Sequence, residues 1–294
     1  MLFTNEALNH FAKDPAVVRF NDRYFLYYSV CHDDGSFGVG IATSQDMESW
    51  TCEGEVDRDQ PYEANGIAAP GAIVLDGRVH LFYQTYGNAR RDALCHAVSD
   101  DGYHFTKNPT NPVFHPTDDW CCGRAIDADV IVFDGKLFLY FATRDHAYEI
   151  QKIGGACAPL DSDFGRDAWT QLADQTLVAP EFVWEGQCIE AAATIENRGR
   201  IFMFYGGSYN CTPQQIGCAY SDDGTFFRKL FKEPLLGPGE PGSWNSSESG
   251  HPYAFRDDDG RAYLFYQGSP DMGKTWYLSR KEIVFDDENI PHLI

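Results

Sequence analysis

Short runs of aromatic and β-branched residues recur along this chain, and each run is broken by a tight polar turn. The runs are Val18–Tyr28, turning at Asn21-Asp22, and Val74–Tyr83, turning at Asp76-Gly77. Val132–Phe141 turns at Asp134-Gly135, Ile195–Tyr205 at Asn197–Gly199 and Phe255–Tyr266 at Asp257–Gly260. Asp-Gly between apolar strands is a strong hairpin signal, because both turn residues must take φ > 0. The turn positions Asp22, Gly77, Gly135, Gly199 and Gly260 are spaced 55, 58, 64 and 61 residues apart. A second unit follows in several copies: Gly40–Asp46 before Trp50, His96–Gly102 before Phe105, and Gly217–Gly224 before Phe227. It reads as a third strand, a polar turn and a fourth strand. Four strands repeated radially make a propeller blade. The chain is therefore expected to be all-β, a single five-bladed β-propeller spanning residues 1–294, with blades near 11–55, 66–110, 123–172, 186–230 and 247–287. No helical period and no linker rich in Pro, Gly or Ser interrupts it.

The innermost strand of each propeller blade faces the central channel, and ligands sit at its mouth. The hairpin turn serves as a ruler for the start of that strand. Eight residues before Asp22, Gly77 and Gly135 lie Asp14, Ala69 and Asp127. Counting one extra turn residue in the last two blades, nine before Gly199 and Gly260 lie Glu190 and His251. Three carboxyl groups and an imidazole at one repeat position point to a site, because charge in a buried strand is costly unless paired or used.

Composition narrows the function. The net charge of −21 disfavours nucleic acid and anionic membranes as partners and suits a neutral ligand such as an oligosaccharide. The nine cysteines are an odd number without a C-x-x-C pair, which suggests neither a zinc site nor a disulfide framework, and a reducing compartment. Residues 1–6 lack a signal-peptide pattern, and no apolar run reaches membrane-spanning length. The expected location is cytoplasmic; oligomeric state is not legible.

At the inner positions the chain resembles glycoside hydrolase family 43. The carrying motifs are Lys13-Asp14-Pro15, Ile126-Asp127-Ala128, Ile189-Glu190-Ala191 and Gly250-His251, over about residues 10–270. Prolines that the family carries after the second and third acids are alanines here. The five-bladed, neoagarobiose-hydrolase-like family 117 is a similar alternative. The resemblance implies an inverting glycosidase acting on oligosaccharides, arabinofuranosidase- or xylosidase-like, with no required cofactor. It implies Asp14 as general base, Glu190 as general acid and Asp127 as the group that orients the acid and raises its pKa. It also implies that His251 lies at a channel floor where a calcium or sodium ion can be held through waters.

Other residues remain candidates. Glu185, in Trp184-Glu185-Gly186, is a rival acid five residues out of register. Asp129 alternates with Asp127 and would share its face in a regular strand. Trp120 and Trp184 precede inner strands, where they would stack on sugar or pack in the core. Arg124 would bind a substrate hydroxyl or pair with an acid. A phosphorylase on the same fold would need a cationic pocket richer than Arg124 and Arg144. A propeller lectin would repeat its site in every blade, whereas these inner positions differ.

Overall fold

The computed structural model describes residues 2–294. The alternating runs form twenty strands in five four-stranded antiparallel sheets. Blade one comprises β1 (Lys13–Phe20), β2 (Arg23–Cys31), β3 (Phe37–Ser44) and β4 (Thr51–Glu55). Blade two comprises β5 (Ile67–Leu75), β6 (Arg78–Thr85), β7 (Leu94–Ser99) and β8 (Thr106–Lys107). Blade three comprises β9 (Ile126–Phe133), β10 (Lys136–Arg144), β11 (Gln151–Pro159) and β12 (Thr170–Gln171). Blade four comprises β13 (Ile189–Asn197), β14 (Arg200–Gly207), β15 (Gln215–Ser221) and β16 (Arg228–Lys229). Blade five comprises β17 (Glu248–Arg256), β18 (Ala262–Ser269), β19 (Tyr277–Phe285) and β20 (Pro291–Leu293). Strand order follows chain order from the first strand of each blade outward, and the first strands β1, β5, β9, β13 and β17 contact one another around the centre.

The turn chemistry explains the hairpins. In blades one to four both central residues have positive φ: Asn21 and Asp22, Asp76 and Gly77, Asp134 and Gly135, Arg198 and Gly199. That backbone twist matches the right-handed twist of the flanking strands. The fifth hairpin is longer: Arg256 pairs with Ala262 across Asp257–Arg261. A polar turn also repeats, after the third strand in blades one, two and four and after the second strand in blade five. A serine hydroxyl donates to an aspartate two residues on in Ser44–Asp46, Ser99–Asp101, Ser221–Asp223 and Ser269–Asp271, at 3.0 Å each time.

The second strands are nearly all buried, and their aromatics fill the space between blades. Tyr27 and Tyr140 donate across blade boundaries to the carbonyls of Gly102 (3.0 Å) and Gly224 (2.8 Å). Near the chain start, Phe3 bridges to Leu278 and joins the two terminal regions. All nine cysteines are free. No helix among the described residues is long and apolar enough to cross a membrane.

Candidate active site

Each inner strand opens with a bulge. Register breaks fall between Lys13 and Ala16, Ala68 and Gly71, Ile126 and Asp129, Glu190 and Ala193, and Gly250 and Tyr253. Within them Asp14, Ala69, Asp127, Ala191 and His251 take φ of 50°, 44°, 55°, 53° and 39°. A left-handed non-glycine residue costs on the order of 1–2 kcal/mol. Side chains from another blade help hold four of these bulges by accepting their backbone N–H groups. Gln267 Oε1 accepts from Asp14 (3.1 Å), Ser29 Oγ from Ala69 (2.8 Å), Gln84 Oε1 from Asp127 (2.7 Å) and Gln214 Oε1 from His251 (3.1 Å).

This geometry corrects the ruler in blade four. Asn197 pairs with Arg200 across a two-residue turn, so no extra turn residue exists there. The equivalent of Asp14 is Ala191, and Glu190 stands one position earlier, level with Lys13, Ala68 and Ile126. Those positions also line the mouth, so Glu190 still enters it.

The mouth is a cleft of about 210 Å³ lined by Asp14, Asp127, Glu190 and His251 together with Lys13, Arg124, Arg144, Gln151 and Tyr209. His251 lies between two acids: Nδ1 is 2.8 Å from Asp14 Oδ1 and Nε2 is 3.0 Å from Glu190 Oε1. Burial works against a charged imidazole, but Asp14 and Glu190 outweigh it and hold His251 well above the ordinary histidine range. Burial likewise disfavours the Asp14 carboxylate, yet His251 and Lys13 pull it well below its usual value.

Glu190 receives donors on both oxygens. Gln214 Nε2 donates to Oε1 at 2.7 Å, and Gln151 Nε2 donates to Oε2. Burial would raise its pKa, but His251 and Gln214 prevail and lower it. Asp127 goes the other way. Its Oδ2 is buried without a partner, and burial, with Glu190 and Asp14 nearby, pushes it up to about 7. The sequence-based expectation had a charged Asp127 raising Glu190. In the free site the charge rests on Glu190 and the spare proton on Asp127, because the imidazole and two amides all serve Glu190.

Asp127, Glu190 and His251 each offer one ligand atom within 4.8 Å of one another. The donor set does not fit an ion bound directly by His251. Both imidazole nitrogens already face carboxylates, so the charged ring has no lone pair to give. The cavity beneath, lined by Pro15, Pro70, Pro252 and Tyr253, has about 20 Å³, room for one water. Calcium takes about 6–8 oxygen ligands.

Four other candidates lie outside the cleft. Glu185 is fully buried: it accepts from Tyr205 Oη (2.8 Å), the backbone N–H of Glu181 (2.6 Å) and that of Phe182 (2.8 Å), and pairs with Lys229. Glu63, Tyr83 and Lys107 repeat this arrangement in blade two at the same spacings, which identifies a structural tie instead of an acid. Asp129 does not share the face of Asp127, because the bulge between them breaks the alternation; its Oδ2 accepts from Thr194 N–H (2.9 Å) in blade four. Trp120 packs beside Gly154 and under Lys152. Trp184 stacks on Tyr205 at 6.1 Å, and its indole N–H donates to the Lys232 carbonyl (2.9 Å). Both tryptophans are partly buried and pack against the core clusters. Arg124 does line the cleft, with Nε 3.7 Å from Asp92 Oδ2.

The glutamines escaped the sequence reading, although part of the signal was there. Seven residues after each turn position stand Ser29, Gln84, Ala142, Gly206 and Gln267. Three of these side chains hold bulges, and two are too small to do so. Gln214 fills the space left by Gly206, where a Cβ would come within 3.1 Å of its Cδ. Gln214 and Gln151 sit outside the repeat spacing, so no ruler finds them.

The sequence model of the family described as Glycosyl hydrolases family 43 matches residues 3–285. Among solved structures, the chain is similar to an endo-1,4-β-xylanase from Bacteroides thetaiotaomicron, with TM-score 0.78 and 20% identity, covering 97% of this chain and 95% of that one. It is also similar to an α-L-arabinofuranosidase from Lactobacillus brevis, with TM-score 0.73 and 16% identity, covering 96% and 93%. At such identities the likeness is one of fold. A sucrose-6-phosphate hydrolase from Escherichia coli is 33% identical over 107 residues, which is 32% of this chain. The chain spans only about a fifth of that hydrolase's length, 22%.

Proposed function

The chain belongs to the glycosyl hydrolases of family 43 and is a glycoside hydrolase; we propose that it cleaves pentosidic bonds of oligosaccharides, arabinofuranosides or β-xylosides, with inversion. The observation that carries this reading is the line Asp14–His251–Glu190. Contacts of 2.8 and 3.0 Å on the two nitrogens of one imidazole put the width of a ring between the acids, which supports the wider, inverting spacing. Inverting enzymes use roughly 6.5–9.5 Å, room for a water, whereas retaining ones use about 5–5.5 Å. The similarity to a xylanase and an arabinofuranosidase supports a pentose.

Asp14, held ionised by His251 and Lys13, is the base that takes a proton from the attacking water. Glu190 is the acid at the leaving oxygen. Its proton comes from Asp127, which holds it in the free site with a carboxyl oxygen within 4.8 Å of one on Glu190, and passes to Glu190 as the sugar oxygen displaces a donor from it. Gln151 and Gln214 hold Glu190 in place, and His251 fixes the spacing of acid and base. No step runs through a metal. The unpaired cysteines suit a reducing, cytoplasmic location.

A panel of nitrophenyl and natural pentosides tests the reading. Asp14→Asn should remove turnover of every substrate. Glu190→Gln should lose about 10²–10⁴-fold on a sugar leaving group and far less on dinitrophenyl. A Glu190→Gln enzyme that kept its activity on natural oligosaccharides would refute the acid assignment.

A further inference from the structure

On one side of the mouth three arginines gather, and among the described residues only Arg124 has an acid partner. Arg124 Nη1 and Arg144 Nε donate to a single neutral oxygen, Gln151 Oε1, at 3.3 and 2.9 Å. The Arg144 guanidinium also lies over Tyr148 (4.4 Å) and Tyr209 (5.2 Å). Arg90 lies over the same Tyr148 at 4.8 Å, so the row runs outward to the rim. Tyr148 holds φ of 66°, a backbone state that large side chains seldom adopt.

Among the described residues, no carboxylate forms an ion pair with Arg90 or Arg144. Arg124 has Asp92 alone, at 3.7 Å, and its buried Nε lacks a hydrogen-bond partner. The neighbouring acids are otherwise engaged or exposed. Asp145 Oδ1 accepts the backbone N–H groups of Glu149 (2.8 Å) and Ile150 (3.2 Å), Asp119 faces His146 at 4.0 Å, and Glu149 is exposed. Like charges crowded round one amide oxygen repel each other, and more strongly in a cleft than in water. An oxyanion relieves that repulsion, and the planar guanidinium fork is shaped to bind carboxylate or phosphate. In a chain of net charge −21, a cationic row beside the mouth also draws an anion locally.

The row has a defined place in the reaction. Gln151 joins the guanidiniums to Glu190 Oε2, the oxygen that His251 does not touch. One side-chain amide separates them from the acid that meets the leaving oxygen. We propose that the leaving-group sugar carries a uronate carboxylate, bound by Arg144 and Arg124, with Arg90 at the entrance. This rests on the hydrolase reading above and narrows its substrate to acidic oligosaccharides. A phosphate ester shares the binding chemistry, and the test separates the two.

Calorimetry on the Asp14→Asn protein, which stops turnover, compares a pentosyl-glucuronic acid, its carboxyl-reduced twin pentosyl-glucose, and pentosyl-glucose 6-phosphate. The uronate should bind about tenfold to a hundredfold more tightly than the neutral twin, the range for hydrogen bonds to charged groups. That preference should fall towards unity in Arg144→Gln, survive in part in Arg144→Lys, and weaken with salt. Equal affinity for acid and neutral twin overturns the inference, and a phosphate preferred over the uronate overturns the uronate assignment. Turnover of neutral nitrophenyl pentosides by the unmodified protein reports separately on hydrolysis. Turnover without acid preference sinks this inference alone; acid preference without turnover of any pentoside leaves the arginine row as a uronate site but sinks the hydrolase reading and, with it, the leaving-group placement.

Discussion

Replacing Asp129 with asparagine should change how the protein's stability depends on pH. The carboxyl is 2% exposed, and Thr194 donates to its Oδ2 through both backbone N–H and hydroxyl. Burial outweighs those bonds and pushes it from 3.8 to about 7. A group with a raised folded pKa stabilises fully below its unfolded value, near 3.9, and that contribution is lost as pH rises through the folded value. The gap is about three pH units, each worth about 1.36 kcal/mol, so wild type forfeits roughly 4 kcal/mol between pH 4 and pH 8. Asparagine retains an acceptor for Thr194 and does not titrate. Urea unfolding of both proteins at each pH gives the difference between them. Any constant cost of burying the amide N–H groups cancels in that comparison, as does the titration of Asp127, which both proteins share. The variant should gain on wild type by up to about 4 kcal/mol from pH 4 to pH 8. A difference that stays flat across that range would mean that Asp129 is not a buried, proton-holding carboxyl.

Two further outcomes follow from the same structure. Lys229→Met should destabilise by about 3–5 kcal/mol, because it takes the counter-ion from the fully buried Glu185; thermal melting reads the loss, and KM should hold, while an unchanged melting temperature would contradict the structural assignment of Glu185. Activity should fall as pH rises through about 7, where Asp127 gives up the proton that the acid draws on; a kcat/KM profile still level at pH 9 would count against that supply.

The hairpin turns made the blades legible, because a two-residue turn with positive φ leaves few residue choices and these recur at matching offsets. The same ruler named Asp14, Asp127 and His251, which all occupy the left-handed bulge position. It named Glu190 through a miscount, and Glu190 reaches the mouth only because the residue before each bulge also points there in blades one to three. Trp120, Trp184 and Glu185 misled for one physical reason: the segment before an inner strand contains both channel wall and inter-blade packing, and sequence spacing does not separate them. Asp129 misled because a bulge destroys strand alternation. The proton inventory was out of reach of the sequence, since it depends on Gln151 and Gln214 arriving from outside the repeat to serve Glu190.

The configuration of the first sugar released decides the central claim. Proton NMR of the anomeric signal, recorded within seconds of mixing a β-xyloside or α-arabinofuranoside with the enzyme, should show the inverted anomer appearing first and the other growing in by mutarotation. Initial release of the retained anomer would mean a glycosyl-enzyme intermediate, and the spacing of Asp14 and Glu190 across His251 would not be the working geometry.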